Sequence, residues 1–239
     1  VDGVRIQNRG AARIEGARPL LSRAGAYQGS ATCQACHPDQ FESWARTYHR
    51  TMTTRPEGES VLGRFDGTPV EFYGRRAVPF EREGRYFMRL PAADGAEREA
   101  EVALCVGSHR YQQYFELAGT VPGDSYRRLP LLWHIGEQRW MHLNGVFLEP
   151  DDANWDAHAA NWNANCIFCH NTGPEPRVEV VRDGADAQRT QRSSSRVAEL
   201  GIACEACHGP GQEHAAALES PLARYAAQLG TEHELAIVQ

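Results

Sequence analysis

Three copies of one pentapeptide, Cys-x-x-Cys-His, limit the folds open to this chain more than any other feature. The copies are CQACH at 33–37, CIFCH at 166–170 and CEACH at 204–208, and they use six of the seven cysteines. On a helical turn, positions i, i+3 and i+4 share one face. Two thiols can therefore bond to the two vinyl groups of one porphyrin while the adjacent imidazole binds its iron. The sequence predicts three covalently bound haems c.

The alternatives to haem attachment are a zinc site and a redox-active dithiol, both of which use CxxC pairs. Structural zinc takes four ligands and its CxxC pairs come in twos, so three pairs that each precede a histidine favour haem. The seventh cysteine, Cys105, lies in an apolar run and is predicted to be a buried, inert thiol. The predicted cofactor-binding residues are Cys33, Cys36, His37, Cys166, Cys169, His170, Cys204, Cys207 and His208.

Composition argues against several classes of function. The net charge is −6, which disfavours binding to nucleic acid through a basic patch. No run of about eighteen apolar residues occurs, so no transmembrane helix is predicted. Hydrophobic residues make up only 41% of the chain, and the apolar faces of haem would supply part of the core. Because c-type haem is attached outside the bacterial cytoplasm, we expect a periplasmic or extracellular location, at the cell surface.

The hydrophobic pattern predicts a mainly α protein with extensive irregular loops, organised around its haems, with a small antiparallel β unit inserted. Residues 1–60 are assigned to an N-terminal arm and the first haem segment, 61–150 to the β-rich insert, and 151–239 to a helical segment with the second and third haems. The three segments are compatible with one compact domain. Predicted strands lie at 70–73, 85–90, 101–106, 111–117 and 140–148.

Three helices are predicted around the motifs. Asp151 and Asp152 cap a helix that leads into the second motif. A polar connector at 171–196 is predicted to be a surface loop, and a final helix runs over 214–229 after the Gly-Pro-Gly stretch at 209–211. After the first motif, residues recur at helical spacing on one face, namely Phe41, Ala45, Tyr48, His49 and Met52.

The sixth position of each iron decides its chemistry, since a second strong ligand makes an electron carrier whereas an open position admits a reactant. Three methionines are too few to favour His/Met haems, so bis-histidine haems are predicted. His49 is the leading distal candidate because it lies on the haem-facing stripe, with Met52 as its competitor. His214 follows His208 so closely that it must reach a different haem. Further candidates are His109, at the head of a strand, and then His142 and His158, whereas His134 and His233 are predicted to be surface or packing residues.

Residues 33–52, CQACHPDQFESWARTYHRTM, resemble the opening of multihaem cytochromes related to the cytochrome c-554 family. There, CxxCH is followed by an aromatic residue, a tryptophan and a ligand histidine. GSHRYQQYF at 107–115, LPLLW at 129–133 and CEACHGPGQEH at 204–214 resemble a bacterial branch of that group. The resemblance implies haems in close stacked or edge-on pairs with ligands supplied crosswise between segments, and it supports His49, His214 and His109 as distal ligands. Members of the branch continue past the equivalent of Gln239, some of them with further haems, which implies either a fragment of a longer protein or one unit of a larger assembly.

These observations predict an electron-transfer protein with mostly low-spin haems and no catalytic residue. Its partners would be a quinol oxidiser, a reductase, a photosynthetic reaction centre, another cytochrome, or neighbouring copies in a filament. The alternative is a multihaem oxidoreductase with one open haem that acts on nitrogen or sulfur oxyanions, hydroxylamine or peroxide. Enough histidines exist to saturate all three irons, which favours the carrier. A haem-based gas sensor would rarely need three haems.

Overall fold

Strands outnumber helices in the computed structural model, which describes residues 20–22, 25–92, 95–118, 125–146, 160–182 and 189–229. In chain order the strands are β1 (Leu20–Leu21), β2 (Thr53–Thr54), β3 (Val70–Phe72), β4 (Arg75–Arg82), β5 (Arg85–Pro91), β6 (Glu97–Val106), β7 (Tyr111–Leu117), β8 (Tyr126–His134), β9 (Arg139–His142), β10 (Asn171–Thr172), β11 (Val178–Arg182), β12 (Arg189–Ser193), β13 (Arg196–Val197) and β14 (Glu199–Leu200). The helices are α1 (Ser30–Gln34), α2 (Pro38–Ala45), α3 (Ile167–His170), α4 (Cys204–His208), α5 (Gln212–Ala217) and α6 (Pro221–Gln228), with 3-10 turns at Gly58–Ser60 and Leu143–Gly145.

The main sheet is an antiparallel meander in which β3 to β9 follow one another, and β2 pairs with β6. Alternation of side chains gives it two apolar faces. Cys105 and Tyr114 belong to one core cluster, whereas the neighbouring Val106 and Phe115 belong to the other. The second cluster also contains Ile167 of α3, so the second haem motif packs directly on the sheet.

The prediction of a mainly α protein is wrong, because the antiparallel unit is the largest element of the described chain rather than a small insert. Two of the long strands of this sheet, β4 and β8, were not predicted, and each contains a proline and charged residues. Pro130 is tolerated because it lies where the β7–β8 register shifts, between the pairs Gln113–Leu132 and Phe115–Arg128. Proline lacks the N–H that a regular ladder needs, and a bulge removes that need.

The predicted helices are shorter than expected. The helix after the first motif ends at Ala45, and residues 46–52 form turns. The helix predicted over 214–229 is two helices, α5 and α6, because Pro221 begins a new one. The connector predicted as a loop over 171–196 contains the short strand β10 and the antiparallel pair β11–β12, and β13 begins at its last residue. Residues 151–159, which include the predicted helix cap and His158, lie outside the described residues, as does His233.

Candidate haem sites

Each of the three motifs forms a tight helical turn. In the first, the N–H groups of Cys36 and His37 both donate to the carbonyl of Cys33, at 3.1 and 2.9 Å. In the second, the His170 N–H donates to the Cys166 carbonyl at 3.1 Å. In every motif the first cysteine is half-buried and the second is exposed, and none of the six forms a disulfide. The turns therefore present paired thiols and a histidine as thioether attachment requires.

Two of the half-buried thiols lie in surroundings that oppose ionisation. Burial raises the pKa of the Cys166 thiol to about 11, although the Arg128 guanidinium beside it acts in the opposite direction. Burial and then the neighbouring charge of Cys204 raise the pKa of Cys33 to about 11. Thiols of this kind are protonated at neutral pH, which disfavours nucleophilic chemistry by a thiolate. A thioether is uncharged, so it fits these positions without an electrostatic penalty.

The first and third motifs are in direct contact. Cys33 and Cys204 lie side by side, and the Cys204 thiol is 3.7 Å from the Ser30 hydroxyl. Two carboxylates fix this junction: Glu199 accepts from the N–H and hydroxyl of Ser30 at 2.8 and 3.0 Å. Glu205, which is only 5% exposed, accepts backbone hydrogen bonds from residues 28, 29 and 211.

The segment of residues 44–54 joins all three motifs to the sheet. At the third motif, the Trp44 indole N–H donates to the Ile202 carbonyl at 2.8 Å, and the Ile202 N–H donates to the His49 carbonyl at 2.9 Å. At the second motif, the Thr53 hydroxyl donates to the His170 carbonyl at 3.0 Å. The segment itself follows the first motif in sequence. All three motifs therefore lie around one short stretch of chain.

Two histidine rings face each other at the first motif. The ring centres of His37 and His214 are 6.1 Å apart, with their planes inclined by 24°. An iron bound between two imidazoles would separate their centres by about 6 Å, because each metal–nitrogen bond is about 2 Å long and each nitrogen lies about 1 Å from its ring centre. The separation of the two ring centres is therefore compatible with two imidazoles on one iron, and His37 and His214 are the residues that would hold a haem here.

The proximal histidine of the second motif is half-buried. Burial lowers the pKa of the His170 imidazole, which favours its neutral, metal-binding form, whereas Met52 beside it acts to raise the pKa. Within the part of the chain that the structure describes, its Nδ1 atom is buried without a hydrogen-bond partner. Among the described residues, no three His, Cys, Asp or Glu side chains are grouped to hold a metal ion directly. Haem supplies four nitrogen ligands of its own, so the chain need contribute only axial ones, and these residues fit it.

The other candidate ligands lie in different surroundings. His49 is exposed, in the turn beside the third motif. His109 is exposed and stacks on Tyr48, with ring centres 4.4 Å apart. His142 is buried in the sheet with its ring parallel to that of Phe72, 5.0 Å away. The remaining described candidates are Met52, whose carbonyl accepts from Gly107, and His134, which contacts Glu137 and Tyr111.

Sequence reasoning missed the residues that hold the motifs together. Thr172 is fully buried and links the second motif to the third, through a hydrogen bond to the Gly201 carbonyl and one from the Ala203 N–H. Asn163 accepts from the Tyr126 N–H and so attaches the second motif to the sheet. Neither residue belongs to a sequence motif that could have identified it. Glu205 could have been noticed, because a charged side chain is unexpected between two cysteines that bond to a porphyrin.

Comparison with known proteins connects the first motif to a family. Residues 32–62 match the family model described as cytochrome c554 and c-prime, which confirms the predicted relation to multihaem c-type cytochromes. No curated protein matches the chain. The crystal structure of outer cell wall cytochrome OcwA is similar, with a TM-score of 0.48 and 21% identity, over 81% of this chain and 34% of that one. The chain thus spans about a third of the length of OcwA.

The described helices contain none long and apolar enough to cross a membrane.

Proposed function

We propose that this protein transfers electrons outside the cytoplasm through three covalently bound haems c. The relation to c-type cytochromes supports covalent haem and electron transfer in general terms. The observation that carries the proposal is the convergence of the three motifs on the 44–54 segment, with Cys33 and Cys204 side by side. Electron tunnelling requires closely spaced centres, and motifs in contact supply them. Haem, when bound, supplies an iron that alternates between the ferric and ferrous states.

The residues of the chain have distinct parts in this proposal. The attachment sites are the three cysteine pairs, and His37, His170 and His208 are the proximal ligands. His214 is proposed as the distal ligand at the first motif because its ring faces His37 at 6.1 Å. His49 and His109 are proposed to serve the remaining irons. The His49 carbonyl accepts from the Ile202 N–H beside the third motif, and the His109 ring stacks on that of Tyr48.

The proposed partners are redox proteins: a quinol oxidiser, a reductase, a reaction centre, another cytochrome, or neighbouring copies in a filament. The net charge of −6 would become more negative with haem propionates, so a partner with a basic docking surface is favoured. A periplasmic or cell-surface location is proposed with the function, because c-type haem is attached outside the cytoplasm.

An electron paramagnetic resonance spectrum of the holoprotein, produced in a host that attaches c-type haem, tests this function. Saturated irons predict low-spin signals only, reversible reduction of all haem, and no spectral change with cyanide, nitrite or nitric oxide. A high-spin signal that nitrite shifts would instead support the multihaem oxidoreductase.

The axial pair is tested separately by His214→Ala, which should convert one haem to high spin. The matched control is His134→Ala, because His134 contacts Glu137 and Tyr111 at the end of β8 and is given no role at iron. Identical low-spin spectra for both variants would remove His214 from the ligands.

A further inference from the structure

A buried carboxylate lies between the chain segment that leads into the first motif and the segment that leads to His214. Glu205 occupies one of the variable positions of CEACH and is 5% exposed. Charged residues are almost never buried without partners. Its partners are backbone donors: Oε1 accepts from the N–H groups of Gln28 and Gly211, each at 2.8 Å, and Oε2 accepts from the Gly29 N–H at 2.7 Å. Hydrogen bonds to an ionised acceptor are among the stronger ones in proteins.

These three donors lie at the N-terminal ends of two different helices. Gly29 is the N-cap of α1, which carries Cys33, and Gly211 is the N-cap of α5, which carries His214. A further backbone bond, from the Gln212 N–H to the Ala26 carbonyl at 3.1 Å, joins the same two chain segments. One carboxylate thus holds the helix that attaches the first haem and the helix that bears the ring facing His37.

We propose that Glu205 is a positioning residue for the first haem, which fixes His214 opposite His37 by holding α5 against α1. The inference rests on the proposed function. It goes beyond the ligand assignment, because it gives a residue of the third motif a part in the ligation of the first haem. Exchange of the carboxylate for an amide leaves the volume unchanged but replaces one acceptor oxygen by a donor. At least one of the three N–H groups then loses its partner.

The proposal is tested with the holoprotein of Glu205→Gln, by paramagnetic resonance and by a spectroelectrochemical redox titration. One of the three haems should show a high-spin fraction while the other two remain low-spin. The midpoint potentials of the first and third haems should rise, because a buried negative charge near Cys33 and between Cys204 and Cys207 has been removed, and such a charge stabilises the ferric state. The matched control is Glu213→Gln, an exposed carboxylate in the first turn of α5, which should change neither quantity.

Two further variants separate positioning from general stability. Glu199→Gln weakens only the bonds to Ser30 in α1, so His214 should keep its place and all haems should stay low-spin. Gly211→Pro removes the one bond that Glu205 accepts from the α5 side and leaves those from residues 28 and 29, and the Gly211 φ of −91° is near the range of proline. It should produce the same single high-spin haem, and it serves as the test if Glu205→Gln fails to mature.

The inference is overturned if Glu205→Gln and Gly211→Pro both stay low-spin with unchanged potentials. It is equally overturned if all three haems respond together, which would indicate a general scaffold role. Failure of the proposed function looks different, because the unmodified protein would then lack haem or carry an open iron.

Discussion

Thr172 provides a direct test of how the second and third motifs are held together. Thr172→Val keeps the shape of the side chain and the backbone bonds of β10, including the one from the Ala198 N–H to the Thr172 carbonyl. It removes only the hydroxyl, which donates to the Gly201 carbonyl at 2.9 Å and accepts from the Ala203 N–H at 2.8 Å. Both lost bonds are buried, because Thr172 is 0% and Ala203 is 2% exposed.

The magnitude follows from the two partners left behind. A buried polar group without a hydrogen bond costs about 1–3 kcal/mol, so two such groups cost about 2–6 kcal/mol. The extra buried methyl group returns about 0.8 kcal/mol. We therefore expect Thr172→Val to lower the free energy of unfolding by about 1–5 kcal/mol, which is a large part of the stability of a typical domain.

The assay is denaturant unfolding of the holoprotein followed by far-ultraviolet circular dichroism, with haem content checked first by absorbance. The matched control is Thr32→Val, whose exposed hydroxyl donates to the Gln28 carbonyl and which should change the free energy by less than about 0.5 kcal/mol. Equal stabilities of the two variants would refute the argument that Thr172 links the motifs.

Three further predictions concern other positions. Gly201→Ala should destabilise the holoprotein by more than about 1 kcal/mol in the same assay. Gly201 has a φ of +81°, and an added Cβ would lie 2.4 Å from the Arg50 carbonyl oxygen. An unchanged denaturation midpoint would contradict this close approach. His49→Ala should convert one haem to high spin in a paramagnetic resonance spectrum, and an unchanged spectrum would remove His49 from the ligands. Burial raises the pKa of Cys105, so its thiol should stay protonated and resist iodoacetamide at pH 8.5 in the folded holoprotein and react after unfolding, as measured by mass spectrometry; an adduct on the folded protein would show that the thiol is accessible.

The motifs were predictable because thioether attachment needs an exact local spacing, which a sequence displays directly. The neighbourhood of His214 was predictable in part. Its short separation from His208 predicts that it serves a haem other than its own motif's, and the structure places its ring beside that of His37. Which motif it would meet depends on the contact between α1 and α4, which no local pattern encodes.

The fold class was predicted wrongly in part because apolar residues at helical spacing were taken to mean a helix where the chain forms turns. His49 and Met52 continue the apolar stripe of α2, yet the chain leaves the helix after Ala45 to bring the His49 carbonyl to Ile202. Tertiary contacts of this kind override local periodicity. Likewise, the polar residues of β11 and β12 gave no alternating signal, although the two strands pair over five positions.

The most direct test of the central claim is the intact mass of the denatured holoprotein, produced with c-type haem attachment. The expected mass is that of the polypeptide plus three haems, which remain bound on unfolding because six thioether bonds hold them. A mass equal to the bare polypeptide, or to the polypeptide with fewer than three haems, would contradict it.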